Sequence, residues 1–147
     1  MKLSQKCKYA LRAVFAVAVR PPGALATISE IAEEQDIPRR FLGGILNQLR
    51  QDGILESRRG KRGGYALGRP AKKIRVGDIV RLMDGPILPV QCGDGAEPCR
   101  LRGDCVFLPV WQEASRALSA VYDRHTLADL VERHQRRSAA GVLNFTI

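Results

Sequence analysis

The chain has 147 residues and a formal net charge of +9, from 24 Lys and Arg against 15 Asp and Glu. Hydrophobic residues make up 45% of it and aromatics only 5%, a globular, aliphatic composition that excludes a disordered protein and is too short for two large domains. Its longest apolar run, Ala13 to Val19, is far too short to cross a bilayer.

In chain order, Leu3, Cys7, Ala10, Leu11, Val14, Phe15 and Ala18 recur at helical spacing and predict a first helix from Ser4 to Val19, ended by Pro21, Pro22 and Gly23. Thr27 and Glu30 form a capping-box pair opening a short second helix that runs to Glu34. Pro38 opens a third, with Phe41, Leu42, Ile45, Leu46 and Leu49 as its buried stripe and Gly53 just past its end. Phe41 is read as a core residue, although its ring also suits a thymine methyl. Gly43 and Gly44 are poor helix formers, expected either where a backbone must come close to a ligand or where the helix packs tightly on the second one.

Residues 54–58 and 65–67 are two short extended runs around the basic, glycine-rich turn 59–64, which reads as a hairpin closed by Pro70. Three helices followed by a basic hairpin is the order of a winged helix-turn-helix, in which the third helix enters the major groove. The charge supports this. Between Arg39 and Arg75 there are eleven Lys and Arg against Asp52 and Glu56, whereas thirteen bases face thirteen acids elsewhere. One basic block is the footprint of phosphate binding, and Arg39, Arg40, Arg59, Lys61 and Arg62 are its expected DNA contacts.

A fourth helix is expected from Gly77 to Asp84, then a connector bracketed by Pro86 and Pro89. A long helix follows through Val110, Trp111, Ala114, Ala117, Leu118, Val121 and Tyr122, and Thr126 caps a last one through Leu127, Leu130 and Val131. The apolar face of the long helix exceeds what so small a head can cover. It calls for a two-fold partner, the alternative being that it folds back on its own domain. The fold class is therefore mainly α with a small β-hairpin wing. The units are a winged helix-turn-helix (1–75), a connecting helix and cysteine loop (76–106), a dimerisation helix with a C-terminal helix (107–137) and a tail (138–147).

Three of the four cysteines, Cys92, Cys99 and Cys105, fall in one glycine-rich loop. The start, MKLSQKCKYALRAVF, is broken by Lys6, Lys8 and Arg12 and lacks a small-residue cleavage site, so a reducing cytosol is expected, where clustered thiols bind metal or sense redox state. The spacing C-x6-C-x5-C is wider than zinc knuckles and suits an iron–sulphur cluster, 2Fe–2S or 4Fe–4S, with zinc or simple redox-active thiols left open. No nucleophile–base pair, P-loop or dinucleotide fingerprint accompanies it, which argues against an enzyme and against a small-molecule substrate.

MKLSQKCKYALRAVF, ISEIAEEQDIPRRFLGGILNQLRQDGILESRRGKRGGYAL, VGDIVRLMDGP, the three cysteines, LPVWQE and HTLADLV together resemble the Rrf2 family of winged-helix transcription regulators, over about residues 1–135. The resemblance implies a homodimer on palindromic double-stranded promoter DNA, acting as a repressor, with Cys92, Cys99 and Cys105 as cluster ligands near the start of the partner's first helix. A fourth ligand does not carry over. The position where one branch of the family has a histidine holds Leu108, and the position of another branch's acidic residue holds Lys8. Cys7 of the partner subunit is the nearby candidate, with burial in the core as its other reading and a water or small thiol as the alternative ligand. Two rival functions stay open: a cluster-free thiol- or zinc-responsive repressor, and a partner-binding regulator of enzymes of cysteine or cluster assembly.

Overall fold

The computed structural model describes residues 1–90, 99–101 and 104–144, the last three by backbone alone. Helix α1 (Gln5–Ala18) lies at its centre, touching α2 (Ile28–Gln35), α3 (Arg39–Gln51), α4 (Val76–Asp84) and α6 (Leu127–Asn144). Its sequence explains this. Ala10, Ala13 and Ala16 are fully buried among Cys7, Val14 and Val17, and small side chains let several helices approach one axis. The N-cap is Ser4, whose hydroxyl accepts from the Cys7 N–H at 3.0 Å.

Thr27 and Glu30 close the expected capping box on α2. Asp36 then turns the chain in a left-handed conformation (φ 48°, ψ 52°), and Ile37 drops into the core before α3 begins. Leu42, Ile45, Leu46 and Leu49 bury the inner face of α3. At roughly 1.5–3 kcal/mol for each fully buried aliphatic side chain, this stripe is what fixes α3 against α1.

Strands β1 (Leu55–Arg58) and β2 (Gly64–Leu67) pair antiparallel with Leu55 opposite Leu67 and Arg58 opposite Gly64. Ala26, just before α2, adds a bridge to Tyr65 through two backbone hydrogen bonds of 2.8 and 2.9 Å. Gly64 permits that approach, because a Cβ there would meet the Ala26 carbonyl oxygen at 2.8 Å. The hairpin is thereby anchored to the helix-turn-helix. The fold is mainly α with a two-stranded wing, as the sequence predicts.

Helix α5 (Leu108–Arg124) follows the cysteine loop and packs on α4. None of its residues is buried, and Val110 and Val121 are 53% and 43% exposed. The chain then turns at a backbone bridge between Arg75 and Thr126, and α6 returns to pack on α1. This last helix extends to Asn144, well into the stretch expected to be a tail. Residues 132–140 are exposed all round, so no apolar stripe marks that extension in the sequence. No described helix is long and apolar enough to cross a membrane.

Candidate nucleic-acid interface and cysteine loop

The 3.6-residue period sorts α3 into two sides. Opposite the buried stripe lie Arg40, Gly43, Gly44 and Asn47, all exposed, with Arg39 at the helix start. A Cβ on Gly43 or Gly44 would meet nothing within 4 Å. Close packing on α2 is therefore not the reason for these glycines, and a backbone bare of side chains is presented outward.

The wing continues the same charge. Arg58, Arg59, Lys61 and Arg62 are exposed along β1 and its turn. That turn closes through the Gly63 N–H donating to the Gly60 carbonyl at 3.0 Å. At Gly63 any Cβ would overlap the Arg58 carbonyl oxygen, so the turn demands glycine there. Arg58 pairs with Glu56 at 3.4 Å, but Arg39, Arg40, Arg59, Lys61 and Arg62 have no carboxylate within salt-bridge distance among the described residues. Unneutralised cations on a recognition-type helix and on a wing are suited to phosphate and base edges.

Phe41 departs from the expectation of a core residue. It sits about 100° round the helix from Arg40, at the margin of the stripe, and is 46% exposed. Its ring lies 6.1 Å from that of Tyr9 on α1, tilted by 32°, and the Arg40 guanidinium stands 4.8 Å from its centroid. With Gln5, Lys6, Gly44, Ile45 and Gln48 these rings line an open groove of about 580 Å³ between α1 and α3. One wall carries an oddity: the Gln48 Oε1 is buried with no hydrogen-bond partner.

The cysteines fall into two environments. Cys92 lies outside the described residues. Cys99 is exposed and Cys105 half-buried, and both are free thiols. Cys7 is sealed in the core at 0% exposure. Burial, together with the neighbouring Asp84 carboxylate, pushes its thiol up to about 11. Among the described residues no group of three His, Cys, Asp or Glu side chains is placed to hold a metal ion, and the set expected to do so includes Cys92.

Three contacts missed by sequence reasoning tie the segments that flank the cysteine loop to the rest of the fold. At its entrance Asp84, the last residue of α4, receives both the Ser4 backbone N–H at 2.8 Å and the Ser4 hydroxyl, tying α4 to the start of α1. Beyond it, Arg81 on α4 pairs with Asp123 on α5 at 2.5 Å, which holds the guanidinium firmly protonated. The Ser115 hydroxyl also donates to the Ile87 carbonyl at 2.6 Å. These partners stand tens of residues apart, beyond the reach of local periodicity.

The family model described as "Rrf2: Iron-dependent Transcriptional regulator" matches residues 3–133. Among solved structures, the chain is similar to CymR (YrzC), the global cysteine regulator of B. subtilis, with 30% identity and a TM-score of 0.74 over 90% of this chain and 98% of that one. It is similar to IscR of T. potens with 29% identity and a TM-score of 0.73, covering 91% and 88% of the two chains. The oxidized form of Staphylococcus aureus CymR matches with 31% identity and a TM-score of 0.70, over 90% and 97%.

Proposed function

The chain belongs to the Rrf2 family of DNA-binding winged-helix transcription regulators, and from that premise we propose that it is a homodimeric repressor whose promoter affinity is set by an iron–sulphur cluster on Cys92, Cys99 and Cys105. Members of this family regulate transcription and are not enzymes. The observation that carries the reading is positional. The cysteine loop runs directly into α5, whose Val110 and Val121 are exposed in one chain, and Arg81 and Asp123 clamp α5 to α4, which packs in turn on α1.

The donors suit such a group. Cys99 and Cys105 are unpaired and accessible, and thiolates are the ligands that iron–sulphur clusters require. Cys7 is a poor fourth donor, because its thiol is buried beside a carboxylate and resists ionisation. A water or a small thiol fills that position in this reading. When bound, the cluster supplies redox and ligand-exchange chemistry that responds to oxidant, nitric oxide or iron supply. The protein's part is to convert a change of grip on the loop into a change in the separation of two reading heads. A signal of this kind acts only through unequal DNA affinity of the two states.

Anaerobic purification tests the proposal. A brown protein with visible absorption, iron and acid-labile sulphide supports it, and a colourless one carrying stoichiometric zinc defeats it. A second reading, a cluster-free thiol switch, is favoured by the likeness to a global cysteine regulator and by the exposed Cys99. Colourless, metal-free protein whose DNA binding responds to thiol oxidation would establish that one.

A further inference from the structure

The groove between α1 and α3 is not needed to explain the fold. It leaves Phe41 nearly half exposed beside Tyr9, on the edge of the face that carries Arg39, Arg40 and the bare backbone of Gly43 and Gly44. A ring left nearly half in water on a strongly basic surface gains only part of the benefit of burial.

We propose that the Phe41–Tyr9 groove is a specificity-determining contact for the 5-methyl group of a thymine in the major groove, next to a guanine read by Arg40. The proposal rests on the DNA-reading role of α3 given above. Three observations carry it. The lining is almost wholly apolar, as a methyl group requires and a phosphate does not. Gly44 at its rim has open space where a Cβ would stand, so a base edge can come close to the helix. The Arg40 guanidinium is already held over the Phe41 ring at 4.8 Å, which sets the planar cation beside the apolar contact and lowers the entropy cost of pairing with a guanine edge.

The groove is also continuous with the charged reading face through Lys6 and Arg40, which favours DNA over an apolar effector or a second copy of the chain. Burying one methyl is worth about a fourfold change in affinity. That figure sets the scale of the test.

Duplexes selected by the anaerobically purified full-length protein would be remade with uracil for thymine at each position in turn, removing only the 5-methyl group. The expected result is one position per half-site where uracil weakens wild-type binding on the order of fourfold. At that position Phe41→Ala should bind thymine and uracil duplexes equally, while Phe41→Leu, which keeps an apolar surface, retains part of the preference. Circular dichroism checks that each variant is folded. Indifference of the wild type to uracil at every position overturns the proposal. So does a Phe41→Ala variant that keeps the full preference, or one that loses only affinity, equally for both duplexes, which would assign the groove to packing or to an apolar effector. Failure of the wild type to bind any selected duplex would instead remove the DNA-reading role itself.

Discussion

Asp123 reaches across the side-chain-free Cα of Gly77 to pair with Arg81 at 2.5 Å, locking α5 onto α4. A Cβ on Gly77 would occupy the place of the Asp123 carboxylate oxygen and crowd the Arg81 guanidinium. Gly77→Ala should therefore push the Asp123 carboxylate aside and break the pair, with a net stability change within about 1 kcal/mol, because the displaced atoms are the ends of flexible, partly exposed side chains and alanine is the better helix former. Asp123→Ala alone should cost about 1 kcal/mol or less, because the pair is partly exposed and screened. The two changes should be non-additive, with Gly77→Ala more favourable in the Asp123→Ala background. Thermal melts of the four proteins check this.

The charge on the reading face should register in the salt dependence of DNA binding. Replacing Arg59, Lys61 or Arg62 singly by Ala should reduce the slope of log affinity against log salt by about one for each phosphate left unneutralised, and should weaken all duplexes alike. Arg40→Ala should instead relax discrimination at one base position. Fluorescence anisotropy across a salt series separates the two outcomes.

The thiols should react at very different rates. In cluster-free protein near pH 8, Cys99 is exposed and should alkylate promptly, while Cys7 should stay unmodified until the chain unfolds. With its thiol pushed up to about 11, hardly any of Cys7 is ionised at that pH. Because its folded value lies above its ordinary 9.0, the contribution of Cys7 to stability is complete below pH 9 and is lost as pH rises toward 11. Cys7→Ala should flatten that part of the alkaline stability profile, and peptide mapping after timed alkylation reads the reactivity directly.

On the acid side two caps should fail together. Glu30 is held below its ordinary 4.5 by the Thr27 backbone N–H and hydroxyl, and Asp129 below its ordinary 3.8 by the same groups of Thr126. Their stabilising effect is present above those ordinary values and is lost as pH falls through the lowered ones. Thr27→Ala should cost about 1 kcal/mol at neutral pH and reduce the acid sensitivity of helix content. An acid titration of the variant and wild type by circular dichroism checks it.

Much of this architecture is legible in the sequence because it is written locally. The Thr27–Glu30 box, the stripe from Leu42 to Leu49 and the glycines of the wing are short-range signals, and each predicted element is found. Phe41 misleads because it stands one position from the stripe, where only the distance to α1 decides whether the ring is covered. The far half of α6 is hidden for the opposite reason, since a helix exposed on every side has no periodicity to read. The Arg81–Asp123 and Ser4–Asp84 links depend on how helices meet in space. Of the cysteine site, Cys99 is exposed, Cys105 half-buried and Cys7 enclosed, and Cys92 lies outside the described residues.

In the proposed mechanism, thiol ligation in the 92–105 loop governs promoter occupancy. This is tested most directly by the apparent Kd for a selected promoter duplex, measured anaerobically before and after iron chelation, for the wild type and for a protein with Cys92, Cys99 and Cys105 all changed to Ser. The expected result is a shift of about tenfold or more in the wild type, of the order of 1.4 kcal/mol, and one fixed Kd in the triple variant. Identical Kd values for both proteins, unchanged by chelation, would contradict it.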